Sequence, residues 1–357
     1  MIDKKIYINS EKYMSNDQYL KIIGQLDSIQ SSPKLFPFSL DIQNNKIDFV
    51  EMEKSHYKQS FFIMSPGKGP GYLKSKSSFS MKFDDIVDIF KEIEFVNNSA
   101  IIFNHGFCCG TLLSRLLEES FNVLSLKEPP LLHTLKHHLE NNKNDTTIKN
   151  TIFCLHNRSF SKKQRVLWKP SDYAFDLIEH TELLNIPSIY LYSPLREYIA
   201  SCSKEKRDQW IKNRANFEKI LNYLEISNIK IDITKTANQA MLYWLYFAKK
   251  FTHFSSKSNN LFALNSRDLL NNPSVIGVVG KHLKLNKKIN IFEKSKIKKL
   301  LNTYAKTDNY VFNKDIRAEQ LDKIIKDNQS DIDDAEKVAE EVLKKDIGNF
   351  RFDKELI

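Results

Sequence analysis

Residues 98 to 130 read NSAIIFNHGFCCGTLLSRLLEESFNVLSLKEPP, and their spacing sets up an anion site. A short buried strand (Ala100 to Phe103) runs through a glycine-containing turn (Asn104 to Gly110) into an amphipathic helix (Thr111 to about Glu119), followed by a second strand (Asn122 to Leu126). Such a turn leaves backbone N–H groups and the positive end of a helix aimed at one spot, which suits phosphate or sulfate. The chemistry differs from that of a nucleotide-hydrolysing loop. GxxxxGK[ST] requires one more residue between the glycines than Gly106 and Gly110 allow, and its lysine is absent. His105 inside the turn is either a base or a loop-stabilising partner. Cys108 and Cys109 read as small residues that admit a ligand rather than as thiol nucleophiles, although a helix N-terminus can lower a thiol pKa.

The elements around this turn have to form a sheet. Arg165 to Trp168 reads as a short strand ending in KPSDYA, with Ser171 as N-cap of a helix to about Leu184. Ser188 to Tyr192 is the next strand, followed by a helix from about Pro194, and Leu261 to Leu264 is the last. Strands separated by helices in this rhythm predict an α/β fold with a parallel sheet covered by helices on both faces. The strands are expected to end at Phe103, Leu126, Trp168, Tyr192 and Leu264. A mainly helical insert, 207–255, precedes the last strand; its Met241, Trp244, Leu245 and Ala248 make a core stripe. An amphipathic helix begins at Ser330.

Residues 1–97 carry no legible chemistry and read as an accessory region, leaving 98–357 as the main domain. A helix is expected over Asp17 to Ile29, then a hairpin turning at Asn44 and Asn45, a loop at PGKGPG (66–71) and a helix from Phe83 to Phe95. His133 and His137 share a helical face but lack a third ligand, so they read as surface histidines and no metal is expected.

Composition sets the bounds. The chain has 357 residues, 41% hydrophobic and 27% charged, with a formal charge of +10. That is ordinary globular protein with a bias toward anionic ligands. No compact basic helix or nucleic-acid module appears, so no nucleic-acid partner is expected. Four cysteines without paired spacing support neither a disulfide framework nor a zinc site. No apolar run approaches the roughly 20 residues of a spanning helix, so a cytoplasmic setting without a transmembrane segment is expected.

Together, several segments resemble the sulfotransferase family, a P-loop-like α/β fold that uses the donor 3′-phosphoadenosine 5′-phosphosulfate (PAPS). CCGTLLSRLL resembles the family's 5′-phosphosulfate loop, [KR]SGTT. Gly110 and Thr111 match, and Cys108 stands where a basic residue is usual. SPLREYIAS resembles the 3′-phosphate motif RDPRDVVVS, with Arg196 and Ser201 matching, Glu197 for an aspartate and Ser193 for the first arginine. SLKEPP and WKPSDY resemble the protein-tyrosine and glycosaminoglycan branch, which implies a catalytic base at Glu128 and a catalytic lysine at Lys169. In cytosolic members the base is a histidine from another strand, which leaves His105 as the runner-up. Residues 265 to 285 resemble a late family segment, and Lys306 would be a further basic contact. The resemblance covers about 98–315. It implies donor contacts at Cys109, Gly110, Thr111, Leu112, Arg196 and Ser201, and an unidentified small-molecule, glycan or peptide acceptor presenting a hydroxyl or amine. Two other readings stay open: an inactive sulfotransferase-like binding module, and a phosphotransferase using ATP or GTP.

Overall fold

The computed structural model describes residues 16–58, 64–65, 69–70, 78–91, 98–181, 185–204, 207–213, 215–226, 229–288, 294–303 and 311–357. Most of the PGKGPG loop, the expected helix ends at Phe95 and Leu184, and Lys306 lie outside these residues. In chain order come α1 (Asn16–Ser31), β1 (Leu35–Asp41), β2 (Lys46–Glu51), β3 (Met64–Ser65), β4 (Gly69–Pro70), β5 (Ser78–Lys82), α2 (Phe83–Lys91), β6 (Ser99–Asn104), α3 (Gly110–Ser120), β7 (Val123–Lys127), α4 (Leu131–Asn141), α5 (Thr146–His156) and β8 (Arg165–Lys169). Then follow α6 (Ile178–Thr181), β9 (Ser188–Tyr192), α7 (Leu195–Cys202), α8 (Asp208–Lys212), α9 (Phe217–Leu224), α10 (Thr236–Ser255), β10 (Leu261–Asn265), α11 (Ser266–Asn271), α12 (Val275–His282), α13 (Lys294–Leu301), α14 (Lys314–Asp327) and α15 (Gln329–Leu343).

The expected α/β class holds. Five strands make one sheet in the order β10-β9-β6-β8-β7, and β9 pairs in parallel with both β6 and β10. All five strands end within one residue of the expected positions. The segment after Lys169 differs from expectation. Instead of one helix to Leu184, a 3-10 helix over Asp172–Leu177 precedes the four-residue α6, and Ser171 gives no capping bond. Two side chains of that segment are tied to α10: Asp172 accepts from the Tyr243 hydroxyl at 3.1 Å, and Asp176 accepts from Tyr246 at 2.6 Å and Lys250 at 2.7 Å. These anchors favour a tighter, irregular turn over a continuous α-helix. Among the described residues no helix is long and apolar enough to cross a membrane.

The chain divides into two compact units, 1–99 with 122–168, and 100–121 with 169–357. In the first, β1, β2 and β5 form an antiparallel sheet whose hairpin turns at Asn45, with φ 49°, as the paired asparagines predict. Arg158 is buried there and donates to the carbonyls of Ile29, Ser32, Leu35 and Leu155 at 2.7 to 3.0 Å. Burial pulls its guanidinium down to about 10.

In the second unit, α10 is buried nearly all round, as its run of apolar and aromatic residues requires. Around it Phe103, Phe175, Tyr190, Phe247, Phe251 and Phe352 pack edge to face or stacked, with centroids 4.5 to 5.7 Å apart.

Candidate functional site

The register of the parallel strands builds the site. Ile101 and Leu261 both lie opposite Ser188, so β6, β9 and β10 run level and finish at the same edge, at Asn104, Tyr192 and Asn265. Ligands of open α/β sheets bind outside such carboxyl ends. The residues just beyond are tied to one another. Ser193 donates its N–H to His105 Nε2 at 2.8 Å, accepts at its carbonyl from Trp244 Nε1 at 2.9 Å, and shares a 2.9 Å bond with the Ser266 hydroxyl. Ser193 is completely buried. A larger side chain at this position would have to displace its buried neighbours.

His105 is equally committed. Its Nδ1 meets the Gly106 carbonyl at 2.9 Å, its Nε2 accepts from Ser193, and burial lowers its pKa to about 3. With one nitrogen donating and the other accepting, the ring stays neutral and no lone pair is left to take a substrate proton. Its place is that of a post holding the loop against β9.

The loop itself runs through left-handed backbone. Gly106, Phe107 and Cys109 have φ of 80°, 49° and 68°. Positive φ is the left-handed region, and it bends the chain sharply between β6 and α3. A Cβ on Gly106 would sit 2.9 Å from the Trp210 ring, so glycine is required by space as well as by φ. Cys109 is the N-cap of α3 and provides no side-chain capping bond. The first N–H with a carbonyl partner is Leu113, bonded to Cys109 at 3.0 Å. The amides of Gly110, Thr111 and Leu112 precede it, and none meets a protein acceptor among the described residues. Asn104 braces the loop, accepting from the Gly106 N–H at 3.0 Å and donating to the Pro170 carbonyl at 3.1 Å.

That second bond brings in Lys169, which is buried. Its Cε would lie 2.8 Å from a Cβ built on Gly110, so the lysine chain crosses directly over the first residue of α3. Glycine at 110 leaves this passage open, and a Cβ there would press on the far end of the lysine side chain. The cysteine thiols are not activated. Burial pushes Cys108 up to about 12, with Cys109 adding and Lys169 opposing, and Cys108 Sγ is bonded to the Leu191 carbonyl at 3.2 Å. Burial raises Cys109 as well.

Arg196 and Ser201 lie on α7. Arg196 is held by the C-terminal helix: its guanidinium bonds Asp333 at 2.6 Å, and Glu336 through Nε at 3.2 Å and through Nη2. A ligand phosphate would have to compete with two carboxylates for it. Ser201 is buried and its carbonyl accepts from Arg207 at 3.0 Å. Glu128 belongs to the other unit. It follows β7, is half-buried, and has φ 58°, a conformation that glutamate adopts at a cost of roughly 1 to 3 kcal/mol.

Three cations were not anticipated from the sequence. Arg207 lies 4.5 Å from the centroid of the Phe107 ring, Lys204 donates to Gln320 at 3.0 Å, and Arg317 is buried on α14. Lys204 and Arg207 were visible as the basic run directly after SPLREYIAS. Arg317 had no local signal at all.

Together these features define an α/β protein with a strand–loop–helix at the carboxyl edge of a parallel sheet. No family model matches the chain, and no curated protein matches it. Among solved structures, a sulfotransferase domain from the curacin biosynthetic pathway is similar, with a TM-score of 0.35 and 12% identity over 65% of this chain and 97% of that domain. A superposition that loose fixes no residue correspondence.

Proposed function

We propose that this chain transfers a sulfuryl group from PAPS to a hydroxyl or amine of an acceptor. The observation that carries the reading is Lys169 crossing Gly110 at the uncapped N-terminus of α3. Sulfuryl transfer, like phosphoryl transfer, needs an in-line attack and stabilisation of charge on the equatorial and leaving oxygens. Preformed amides and a buried ammonium supply that without reorganising. Gly110, Thr111, Leu112 and the loop at Cys109 are assigned to the 5′ side of the donor, and Ser201 with Arg196 to the 3′-phosphate. Glu128 is assigned as the general base; a strained backbone at a carboxylate is a common mark of function.

A second reading, a binding module without catalysis, is favoured by one observation: Arg196 is already neutralised by Asp333 and Glu336. Calorimetric titration with adenosine 3′,5′-bisphosphate (PAP) and with ATP decides between them and a phosphotransferase. The donor reading expects PAP to bind at least tenfold tighter than ATP; equal affinity rejects it. Glu128→Gln is then expected to keep PAP affinity while turnover with PAPS drops by about 100-fold or more. PAP binding without any sulfuryl transfer to a panel of hydroxyl and amine acceptors would favour the binding module.

A further inference from the structure

The loop carries cysteine where a cation would complete an anion site, and a cation from a distant part of the chain lies within electrostatic reach of it. Arg317 sits in the first turn of α14, a helix started by Asn313, whose side chain accepts from the N–H groups of Asp315 and Ile316. It is only 8% exposed. Its Nη1 donates to Glu197 at 3.3 Å, while its Nη2 is buried and meets no hydrogen-bond partner among the described residues. Buried polar groups in folded proteins are nearly always bonded, and a charged donor left unpaired is among the costlier exceptions.

Its surroundings indicate what would complete it. Of the charges acting on the Cys109 thiol, Arg317 is the one that lowers its pKa, against the larger effect of burial and with Glu197 opposing. Arg317 acts in the same sense on Cys108. Lys204 is pulled down to about 8, first by burial, then by Arg207 and Arg317. Glu197, the carboxylate felt at Cys109, is shared between Arg267 and Arg317, so its charge is already matched.

We infer that Arg317 is the charged anchor of the anion site at the N-terminus of α3, with Lys204 and Arg207 beside it, and that it takes a phosphoryl or sulfuryl ester oxygen on Nη2. This rests on the reading of the loop as an anion site and supplies the cation that the loop sequence lacks. Glu197 is a positioning residue: it holds one edge of the guanidinium so that the other faces the ligand.

The test is calorimetric titration of the full chain and of Arg317→Met and Arg317→Lys with two probes, PAP and inorganic pyrophosphate, at constant ionic strength. Thermal melting without anion checks that each variant is folded. Arg317→Met is expected to bind both probes about 10- to 100-fold more weakly than the wild type. If Arg317→Met does not fold, Arg317→Lys decides. It keeps the charge but has no fork to span Glu197 and a ligand, and about tenfold weaker binding is expected. A folded variant that binds both probes like the wild type overturns the anchor and leaves the donor reading standing. Pyrophosphate binding that depends on Arg317, with no PAP binding even in the wild type, supports the anchor and removes the nucleotide donor. A wild-type chain that binds neither probe overturns both.

Discussion

At the scale of single residues, the site is defined as much by what cannot be there as by what is. Ser193 is a serine because its backbone and hydroxyl are all spoken for in a closed interior, and His105 is a neutral post because both ring nitrogens are bonded. Gly110 is the most informative position. An alanine at the first turn of a helix would ordinarily be neutral or stabilising by up to about 1 kcal/mol. Here its Cβ meets the flexible end of Lys169 at 2.8 Å, so the lysine moves and the fold survives. Gly110→Ala is therefore expected to change the melting temperature by only a few degrees while weakening PAP binding by about tenfold. Calorimetry on the variant checks this, and unchanged affinity would mean that Lys169 has no part in holding the anion.

At the scale of elements, α7 is gripped from two sides of the sequence. Arg196 holds α15 through Asp333 and Glu336, and Glu197 holds α14 through Arg317. The strands and the strand–loop–helix were legible in the sequence because hydrophobic runs and glycine spacing are local. The grip on α7 was not, since nothing in NKDIRAEQ points to a glutamate 120 residues earlier. The sequence left His105 open between a base and a loop-stabilising partner for the same reason: its burial depends on Tyr198 and Phe247 packing around the ring, with centroids at 4.3 and 6.3 Å. Helix packing makes a further demand at Gly280 in α12, where a Cβ would lie 2.0 Å from the ring of Phe121 at the end of α3. Gly280→Ala should destabilise the protein by about 1 to 3 kcal/mol through overpacking. A melting curve unchanged from the wild type would show that α12 can slide away from Phe121 freely.

At the scale of the whole molecule, each unit contains one histidine buried in its neutral form. His105 is lowered to about 3 and His156 to about 4, in both cases chiefly by burial. An unfolded histidine titrates near 6.5, so below that pH the unfolded chain takes up protons that the folded chain refuses. Stability is therefore fully present above about pH 6.5 and declines as pH falls toward the folded values. Each histidine contributes a slope of up to about 1.4 kcal/mol per pH unit. Denaturant unfolding between pH 7 and 5, above the range of most carboxylates, should show this decline, and replacing His156 by Gln should reduce it. A flat profile would contradict the buried, neutral assignment.

The division of the chain into 1–99 with 122–168, and 100–121 with 169–357, bears on how the protein is made. Neither unit is a continuous stretch of polypeptide, so no single cut releases either one whole. During synthesis the first unit cannot close until residue 168 has left the ribosome: Arg158, which joins the carbonyls of Ile29, Ser32 and Leu35, emerges more than a hundred residues after them. β6, the loop after it and α3 emerge earlier still, ahead of β9, α7 and every later element of their own unit. Until Ser193 arrives to take up the Nε2 of His105, and α12 and α13 arrive to pack against α3, this segment stays open to solvent and to chaperones.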